Sequence, residues 1–80
     1  MFYVYLIKSI NFPDQIYTGF TQDMGNRLKE HNAGECFHTS KFKPWEIITY
    51  IAFSNKENAI TFEKYLKSSS GRAFAQKRLW

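Results

Sequence analysis

The sequence has little cysteine: Cys36 is the only one among 80 residues. A single cysteine excludes a disulfide framework, and one free thiol is typical of a reducing compartment. No apolar run approaches the roughly 18 residues that a membrane-spanning helix requires. The first residues, MFYVYLIKS, have the pattern of a strand rather than that of a secretory signal. We therefore expect a cytoplasmic protein with no membrane partner.

Several motifs of catalytic and binding modules are also missing. The sequence has no glycine-rich phosphate loop, no serine-elbow motif and no RNA-binding signature of the aromatic RNP or GxxG type. His31, Cys36 and His38 lack a fourth ligand and the spacing of a zinc site. Nothing marks Cys36 as an activated thiol beside either histidine. These absences disfavour a phosphate-loop enzyme, a zinc protein and a thiol enzyme.

The composition is that of one folded domain. Hydrophobic residues make up 44% of the chain and aromatic residues 19%, which excludes a disordered chain. A chain of this length buries enough surface for one modest core, whereas two half-length domains could not each bury one. We therefore expect a single domain over residues 1–80.

Positive charge is concentrated in the last part of the sequence. The formal net charge is +4, and residues 64–80 contain five basic side chains and no acidic one. Such a segment is the electrostatic signature of a polyanion partner, although a solvated helix end gives the same pattern. The candidate nucleic-acid contacts are these five side chains and two lysines of a predicted loop at 35–44: Lys41, Lys43, Lys64, Lys67, Arg72, Lys77 and Arg78.

Residue periodicity predicts an α+β domain in which a small three-stranded antiparallel sheet is flanked by helices, in the order β-β-α-β-α-α. The predicted elements are strands at 2–8 and 15–20, a helix at 22–33, a strand at 45–53, a helix that begins at the capping box Ser54–Glu57 and ends near Ser68, and a short basic helix or tail at 72–80.

Individual residues refine these elements. Thr21 is the predicted N-cap of the first helix, and Gly34 is suited to a left-handed end. Ser69–Gly71 is predicted to break the last two helices apart. Gly19, near the end of the second strand, indicates a bulge or a close approach of another group. The third strand is apolar on both faces, which predicts that both of its faces are covered.

Three polar side chains fall at unexpected positions on the predicted helices. Glu63 lies inside the apolar stripe of its helix, where an unpaired carboxylate is costly; outward pairing with Lys67 at i+4 is the alternative. Arg27 and His31 are four residues apart and flank the apolar stripe of the first helix. The alternatives here are an arginine that extends its charge to solvent and a satisfied histidine at the edge of the core.

Tyr5 and Tyr17 lie on adjacent predicted strands, where core packing is the alternative role. Convergence of the tyrosines with the helix-borne side chains would combine an anion clamp, a metal ligand and a proton-transfer group, which suits a phosphodiester substrate. We expect one concave, solvent-reachable site lined by these five residues: Tyr5, Tyr17, Arg27, His31 and Glu63.

The sequence resembles the GIY-YIG nuclease superfamily over its whole length. Tyr3-Val4-Tyr5 and Tyr17-Thr18-Gly19 match the two tripeptide motifs, and Arg27, His31 and Glu63 follow at matching spacing. The match is similar to the small stand-alone bacterial members, relatives of the nuclease domain of the excision-repair incision subunit. Two positions differ: Tyr3 replaces the first glycine of the motif, and Phe20 stands where some relatives have a lysine.

The resemblance implies a single-domain endonuclease, dependent on Mg²⁺ or Mn²⁺, that hydrolyses DNA phosphodiester bonds in a DNA-repair setting, with RNA left open as a substrate. It implies that Tyr5 or Tyr17 acts as a base toward water or positions it. Arg27 would hold the scissile phosphate, His31 would assist the tyrosine or the phosphate, and Glu63 would be the sole protein ligand of the metal.

Two functions from other classes stay open at this point. One is a nucleic-acid-binding module of the same fold with little or no activity, and the other is a protein-interaction domain in which the aromatic residues form the core. The intact set of Tyr5, Tyr17, Arg27 and Glu63 favours catalysis, because binding alone does not require a carboxylate near phosphates.

Overall fold

Three strands and three helices follow one another in the computed structural model, which describes residues 1–80. Their order is β-β-α-β-α-α, as predicted. The elements are β1 Phe2–Ser9, β2 Ile16–Thr21, α1 Met24–Asn32, a single 3-10 turn Ser40–Phe42, β3 Trp45–Phe53, α2 Lys56–Leu66 and α3 Ser69–Arg78. None of the helices combines the length and the hydropathy needed to cross a bilayer.

The sheet has the order β2-β1-β3, and both neighbours pair with β1 in antiparallel register. β1 is therefore the central strand, and its residues Val4 to Ile7 are completely buried. The prediction that β3 is covered on both faces is wrong. β3 is an edge strand with Tyr50 exposed, because the central place is taken by the strand that pairs with both others.

The two faces of the sheet support two separate clusters of apolar side chains. On one face Val4 and Leu6 pack against Ala59 and Leu66 of α2 and Ala75 of α3. On the other face Tyr5, Ile7 and Trp45 are covered by Met24 and Leu28 of α1. α1 and α2 thus lie on opposite faces of the sheet. Polar side chains from the two helices can therefore approach each other only around an edge of the sheet.

Two of the predicted helix caps lie one or two residues from their observed positions. Asp23, not Thr21, caps α1 by accepting a hydrogen bond from the Asn26 backbone N–H at 3.1 Å. Asn55, not Ser54, caps α2 by accepting from the Asn58 N–H at 3.1 Å. Aspartate and asparagine are as good N-caps as serine and threonine, so each helix can begin one or two residues after the predicted cap.

The segment predicted to break the last two helices is the first turn of α3. Ser68 is the N-cap and accepts from the Gly71 backbone N–H at 3.1 Å, so the chain bends between Leu66 and Ser69. A side chain at position 71 would overlap the carbonyl group of Tyr65, which explains the glycine there. Gly34 follows α1 with a φ of +79°, the left-handed conformation predicted for it.

Candidate active site

The hydroxyl of Tyr5 is the centre of a buried hydrogen-bond network on the α1 side of the sheet. It lies 2.8 Å from Nε2 of His31, and Nε of Arg27 donates to it at 3.2 Å. Gly19 is opposite Tyr5 in the β1–β2 register, and a Cβ at Gly19 would overlap the Tyr5 hydroxyl. The glycine is therefore the close approach that the sequence indicated, and it makes room for the phenol.

His31 is completely buried and uses both ring nitrogens. Nδ1 lies 2.7 Å from Oγ1 of Thr39, and the Thr39 hydroxyl donates to the carbonyl oxygen of Cys36 at 3.4 Å. Because that hydroxyl already donates, it accepts from Nδ1–H, and Nε2 accepts the Tyr5 proton. Burial, with a further contribution from the Arg27 charge, lowers the pKa of His31, so the ring is held neutral.

Thr39 is a member of this network that sequence analysis missed. It lies in the irregular segment after α1, and the indole Nε1 of Trp45 donates to its carbonyl oxygen at 2.9 Å. Its burial is complete, although nothing in its neighbouring residues has the periodicity of a buried element. No local pattern predicts its contact with His31, because the two residues are brought together by tertiary hydrogen bonds.

Arg27 lies at the border between this network and solvent. Its Nη1 donates to Oε1 of Glu30 at 2.8 Å, while its Nε bonds Tyr5. These hydrogen bonds raise the pKa of Arg27 above its ordinary value, and the bond with Glu30 contributes most. The charge of Arg27 is therefore permanent. Two of its three guanidinium nitrogens are thereby fixed, and the plane of the group is held by protein contacts.

Tyr17 is on the edge strand β2, on the same face as Tyr5. Its ring centroid lies 6.3 Å from that of Tyr5 and 5.3 Å from that of His31. Unlike Tyr5 it is partly exposed, and its hydroxyl makes no hydrogen bond within the chain. The ammonium of Lys67, from α2, lies 5.7 Å from the Tyr17 ring centroid. Tyr17 thus contacts Tyr5 and His31 on the α1 side of the sheet and Lys67 at the end of α2.

Glu63 is connected to Tyr17, on the β2 edge of the sheet, only through Lys67. Its Oε2 forms an ion pair with the Lys67 ammonium at 2.8 Å, which is the i,i+4 pairing considered as the alternative above. Its side chain retains 19% of its exposure, and its other carboxylate oxygen has no partner in the chain. Glu63 is therefore on the opposite side of the sheet from Arg27 and His31, and the two sides meet at β2.

The structure thus brings four of the five predicted residues into direct contact and connects the fifth through a lysine. The four are Tyr5, Tyr17, Arg27 and His31. The expectation of one solvent-reachable site lined by all five residues is wrong in two respects. Tyr5 and His31 are fully buried, and Glu63 lies on the opposite side of the sheet from Arg27. The positions of Tyr5 on the central strand and of His31 on the inner side of α1 remove these two from the surface.

The basic residues expected to contact nucleic acid form two groups. Lys41 and Lys43 lie in the segment between α1 and β3, with the ammonium of Lys43 beside Gly34. The other group covers the end of α2 and the exposed side of α3, and all of its members are exposed: Lys64, Lys67, Arg72, Lys77 and Arg78. Phe42, between the two lysines of the first group, packs on the face of the sheet that α1 covers, whereas α2 and α3 pack on the other face.

The chain has two carboxylate-bearing helices near this site but no cluster of ligands for a transition metal. No three histidine, cysteine, aspartate or glutamate side chains come together, and both nitrogens of His31 are occupied. Glu63 has a partly exposed carboxylate with one unpartnered oxygen. A single carboxylate completed by water is the donor set that Mg²⁺ accepts, so Glu63 fits a hard divalent cation.

Comparison with known proteins gives matches along nearly the whole chain. Residues 1–78 match the family described as the GIY-YIG catalytic domain. A structure-specific endonuclease subunit SLX1 of Debaryomyces hansenii is 38% identical over 71 residues, which are 80% of this chain and 20% of that protein. A UPF0213 protein of Haloquadratum walsbyi is 33% identical over 67 residues, 82% of this chain and 73% of that protein.

A solved structure has the same fold. The solution NMR structure of a UPF0213 protein of Bacillus halodurans superposes with a TM-score of 0.55 at 32% identity, covering 95% of this chain and 81% of that one. The chain spans about one fifth of the length of the SLX1 subunits that it matches and about three quarters of the UPF0213 proteins.

Proposed function

The chain belongs to the GIY-YIG family, and from this premise we propose that it is a metal-dependent endonuclease that hydrolyses phosphodiester bonds in DNA. One observation carries the proposal. Tyr17, a half-buried tyrosine with an unpartnered hydroxyl, lies between the Arg27–His31 network and the Lys67–Glu63 pair. The edge of the sheet thus combines a proton acceptor, a fixed cation and a carboxylate.

Tyr17, rather than Tyr5, is the group that acts on the attacking water. The Tyr5 proton is committed to His31, and burial raises the pKa of Tyr5 to about 12 despite the opposing hydrogen bond from Arg27. At pH 7 a pKa of 12 leaves about one phenol in 10⁵ ionised. The hydroxyl of Tyr17 is free of such bonds and its side chain is partly exposed, so it can contact a water molecule.

Arg27 holds the scissile phosphate. Its charge is permanent, and its contacts with Tyr5 and Glu30 fix the guanidinium plane before the substrate arrives. A preoriented cation stabilises the charge that develops on the phosphate in the transition state. Tyr5, His31 and Thr39 are positioning residues in this proposal, because they act on the substrate through Arg27 and Tyr17.

Glu63 would hold the divalent cation, Mg²⁺ or Mn²⁺, with water molecules as the other ligands. When bound, the cation supplies charge stabilisation to the oxygens of the phosphate and lowers the pKa of a coordinated water. Metal binding competes with the Glu63–Lys67 ion pair, which costs little because the lysine is about half exposed.

The nucleic-acid-binding module without activity remains the second candidate, and the Glu63–Lys67 ion pair is the observation that favours it. In that function Glu63 is only the partner of a surface lysine, and the cations of α2 and α3 bind the phosphate backbone.

The variant Glu63→Gln separates the two functions. If Glu63 holds the metal, cleavage of labelled DNA in Mg²⁺ falls about 10²-fold or more, while DNA affinity in EDTA stays level or rises because a negative charge is lost. The matched control is Glu57→Gln, which removes the same charge from the exposed first turn of α2. We expect Glu57→Gln to cleave at the wild-type rate.

Equal cleavage by wild-type and Glu63→Gln protein would contradict the nuclease proposal, because the activity would then come from a contaminant. Undetectable cleavage by the wild type with any divalent cation, together with salt-sensitive DNA binding, would favour the binding module.

A further inference from the structure

The outer edge of β3 lacks the features that keep an edge strand from pairing with another chain. Residues 47–53 contain no charged side chain and no proline, which are the usual protection of such a strand. Tyr50 and Ala52 are exposed in this stretch. A register shift relative to β1 precedes Thr49, so regular pairing begins there. We call Thr49–Phe53 the β3 edge.

The alternation of backbone hydrogen bonds identifies which groups of the β3 edge are free. The backbone N–H of Ser9 donates toward β2, so the even-numbered residues of β1 bond β3. Their partners in register are the odd-numbered residues of the β3 edge. The backbone N–H and C=O groups of Tyr50 and Ala52 therefore point away from the sheet, and no other group of the chain bonds them.

The first residue of β3 has a partner on this outer side, in contrast to Tyr50 and Ala52. Oδ1 of Asn32 accepts from the Trp45 N–H, and Nδ2 of Asn32 donates to the Trp45 carbonyl oxygen at 3.2 Å. A side-chain amide thus takes the place of a neighbouring strand at Trp45. The β3 edge has no such substitute, and its unpaired groups are a template for another extended segment.

The β3 edge is complementary to itself in antiparallel orientation. With a two-fold axis at Ile51, Tyr50 of one copy lies opposite Ala52 of the other, and each such pair exchanges two hydrogen bonds. A large side chain is then beside a small one in both pairs. An axis at Tyr50 would oppose two tyrosines, and an axis at Ala52 would pair Tyr50 with Ser54, beyond the end of the strand.

The charges at the two ends of β3 fit the same axis. Glu46 and Lys56 lie at equal distances from Ile51 along the chain, both are exposed, and neither forms an ion pair within the chain. Antiparallel pairing brings the beginning of one strand beside the end of the other. Glu46 of one copy thus approaches Lys56 of the other at both ends of the interface, which favours this orientation over one that brings like charges together.

We propose that two copies of this chain pair through their β3 edges, antiparallel about Ile51, and so form one continuous sheet with three strands from each copy. The two β2 edges, which hold Tyr17, are then the outer ends of that sheet, about 24 Å apart at about 4.8 Å per strand. The candidate active site stays open in the dimer. The paired segment is short compared with stable interfaces, so the dimer is weak and depends on concentration.

Sedimentation equilibrium in the absence of DNA measures this association, so the result does not depend on the proposed nuclease activity. We expect the apparent mass to rise from 9.5 kDa toward twice that value between about 10 µM and 1 mM protein. Ala52→Lys places a charge on the β3 edge and raises the dissociation constant of the dimer about tenfold or more. Ala73→Lys adds the same charge at an exposed position of α3 and leaves the constant unchanged.

Disulfide trapping tests the register of the two strands. In a Cys36→Ser background, Ile51→Cys places two thiols opposite each other in a non-hydrogen-bonded pair, whose Cα separation of about 4.5 Å permits a disulfide. Thr61→Cys, at an exposed position of α2, is the control. We expect the Ile51→Cys protein to form an oxidised dimer about tenfold or more faster than the Thr61→Cys protein.

A wild type that keeps a mass of 9.5 kDa at about 1 mM would overturn the proposal, as would an Ile51→Cys protein that crosslinks no faster than Thr61→Cys. Equal dissociation constants for Ala52→Lys and Ala73→Lys would also contradict it, because another surface would then hold the dimer together.

Discussion

Tyr5 and Tyr17 have the same phenol on neighbouring strands, with ring centroids 6.3 Å apart, and opposite access to water. The central strand places Tyr5 beneath α1, where its hydroxyl both donates and accepts within the protein. The edge strand leaves the Tyr17 hydroxyl without a protein partner. In the proposed mechanism, Tyr5 therefore holds Arg27 and His31 in place, and Tyr17 is the tyrosine that transfers a proton.

Removing each hydroxyl in turn tests this assignment. We expect Tyr17→Phe to reduce kcat by about 10²-fold or more, as loss of a general base does, with little change in the free energy of unfolding. Tyr5→Phe leaves the buried Nε2 of His31 and the half-buried Nε of Arg27 without their partner, and it lowers the free energy of unfolding by about 1–3 kcal/mol. Single-turnover cleavage and urea unfolding measure the two effects. The reverse pattern would make Tyr5 the base.

The neutral state of His31 predicts how stability changes with pH. Because burial lowers the pKa of His31 below its ordinary value, the unfolded chain takes up a proton at a higher pH than the folded protein. The stabilisation is fully present above about pH 6.5 and is lost as the pH falls toward the lowered pKa. Urea unfolding at pH 7.5 and 5.5 measures the loss.

His38→Gln is the control for this pH dependence, since His38 is exposed, and the variant should keep the wild-type slope. An NMR titration assigns the effect directly. A ring resonance of His31 that titrates at or above pH 6.5 would rule out this explanation.

The residues of the site were predictable from the sequence to different degrees. The helical spacing of Arg27 and His31 places both beside an apolar stripe, and this spacing survives folding because α1 forms as predicted. The partner of Glu63 on its own helix was also predictable, since i,i+4 contacts are local. Thr39 was not, because its hydrogen bond to His31 comes from an irregular segment held by Trp45.

β1 and β2 approach each other closely at Gly19, where the Tyr5 ring crosses the neighbouring strand. The Tyr5 hydroxyl is fixed by two hydrogen bonds and is fully buried, so it cannot move aside for another side chain. Gly25, by contrast, is on the exposed side of α1, and a Cβ there would meet nothing closer than Asp23 Oδ1 at 3.9 Å. Position 19 therefore has no room for a side chain, whereas position 25 does.

Alanine substitutions at the two glycines should change stability in opposite directions. Gly25→Ala raises the free energy of unfolding by about 0.5–1 kcal/mol, because alanine has less backbone entropy to lose in a helix. Gly19→Ala lowers it by about 1–3 kcal/mol through overpacking and also reduces cleavage by displacing Tyr5. Thermal unfolding checks both variants. A neutral Gly19→Ala would mean that Tyr5 has room to shift.

Element types were predictable because strand alternation and helical periodicity are local properties of the sequence. The order of strands in the sheet was not, since the apolar faces of β3 look like those of a covered strand. Which strand is central depends on pairing between residues far apart, such as Tyr5 with Tyr50. The start of α3 was missed for a related reason: Ser69–Gly71 has the composition of a turn, and packing of Gly71 against Tyr65 makes it a helix.

The whole molecule has an uneven distribution of charge. Residues 64–80 contain no acidic side chain, and their cations are exposed along the end of α2 and along α3. The rest of the chain is close to neutral. A nucleic acid bound through its backbone would therefore lie along α3.

The salt dependence of DNA binding measures the contribution of these cations to affinity. We expect the logarithm of the affinity for duplex DNA to fall linearly with the logarithm of salt concentration, with a slope of about −0.9 for each phosphate that is neutralised. Lys77→Gln and Arg78→Gln should each make the slope shallower by about 0.9. Tight, sequence-specific binding that is nearly independent of salt would contradict a backbone-directed surface.

The alternation of side chains along β2 limits where the length of the chain can change. Tyr17 points to the α1 side, while Ile16 and Thr18 point to the α3 side. A one-residue deletion or insertion within β2 would exchange the two sides and present Thr18 or Ile16 where the tyrosine belongs. The exposed connection at 10–15 lies outside the paired register. Insertions and deletions are therefore tolerated in that turn and excluded from the strand that follows it.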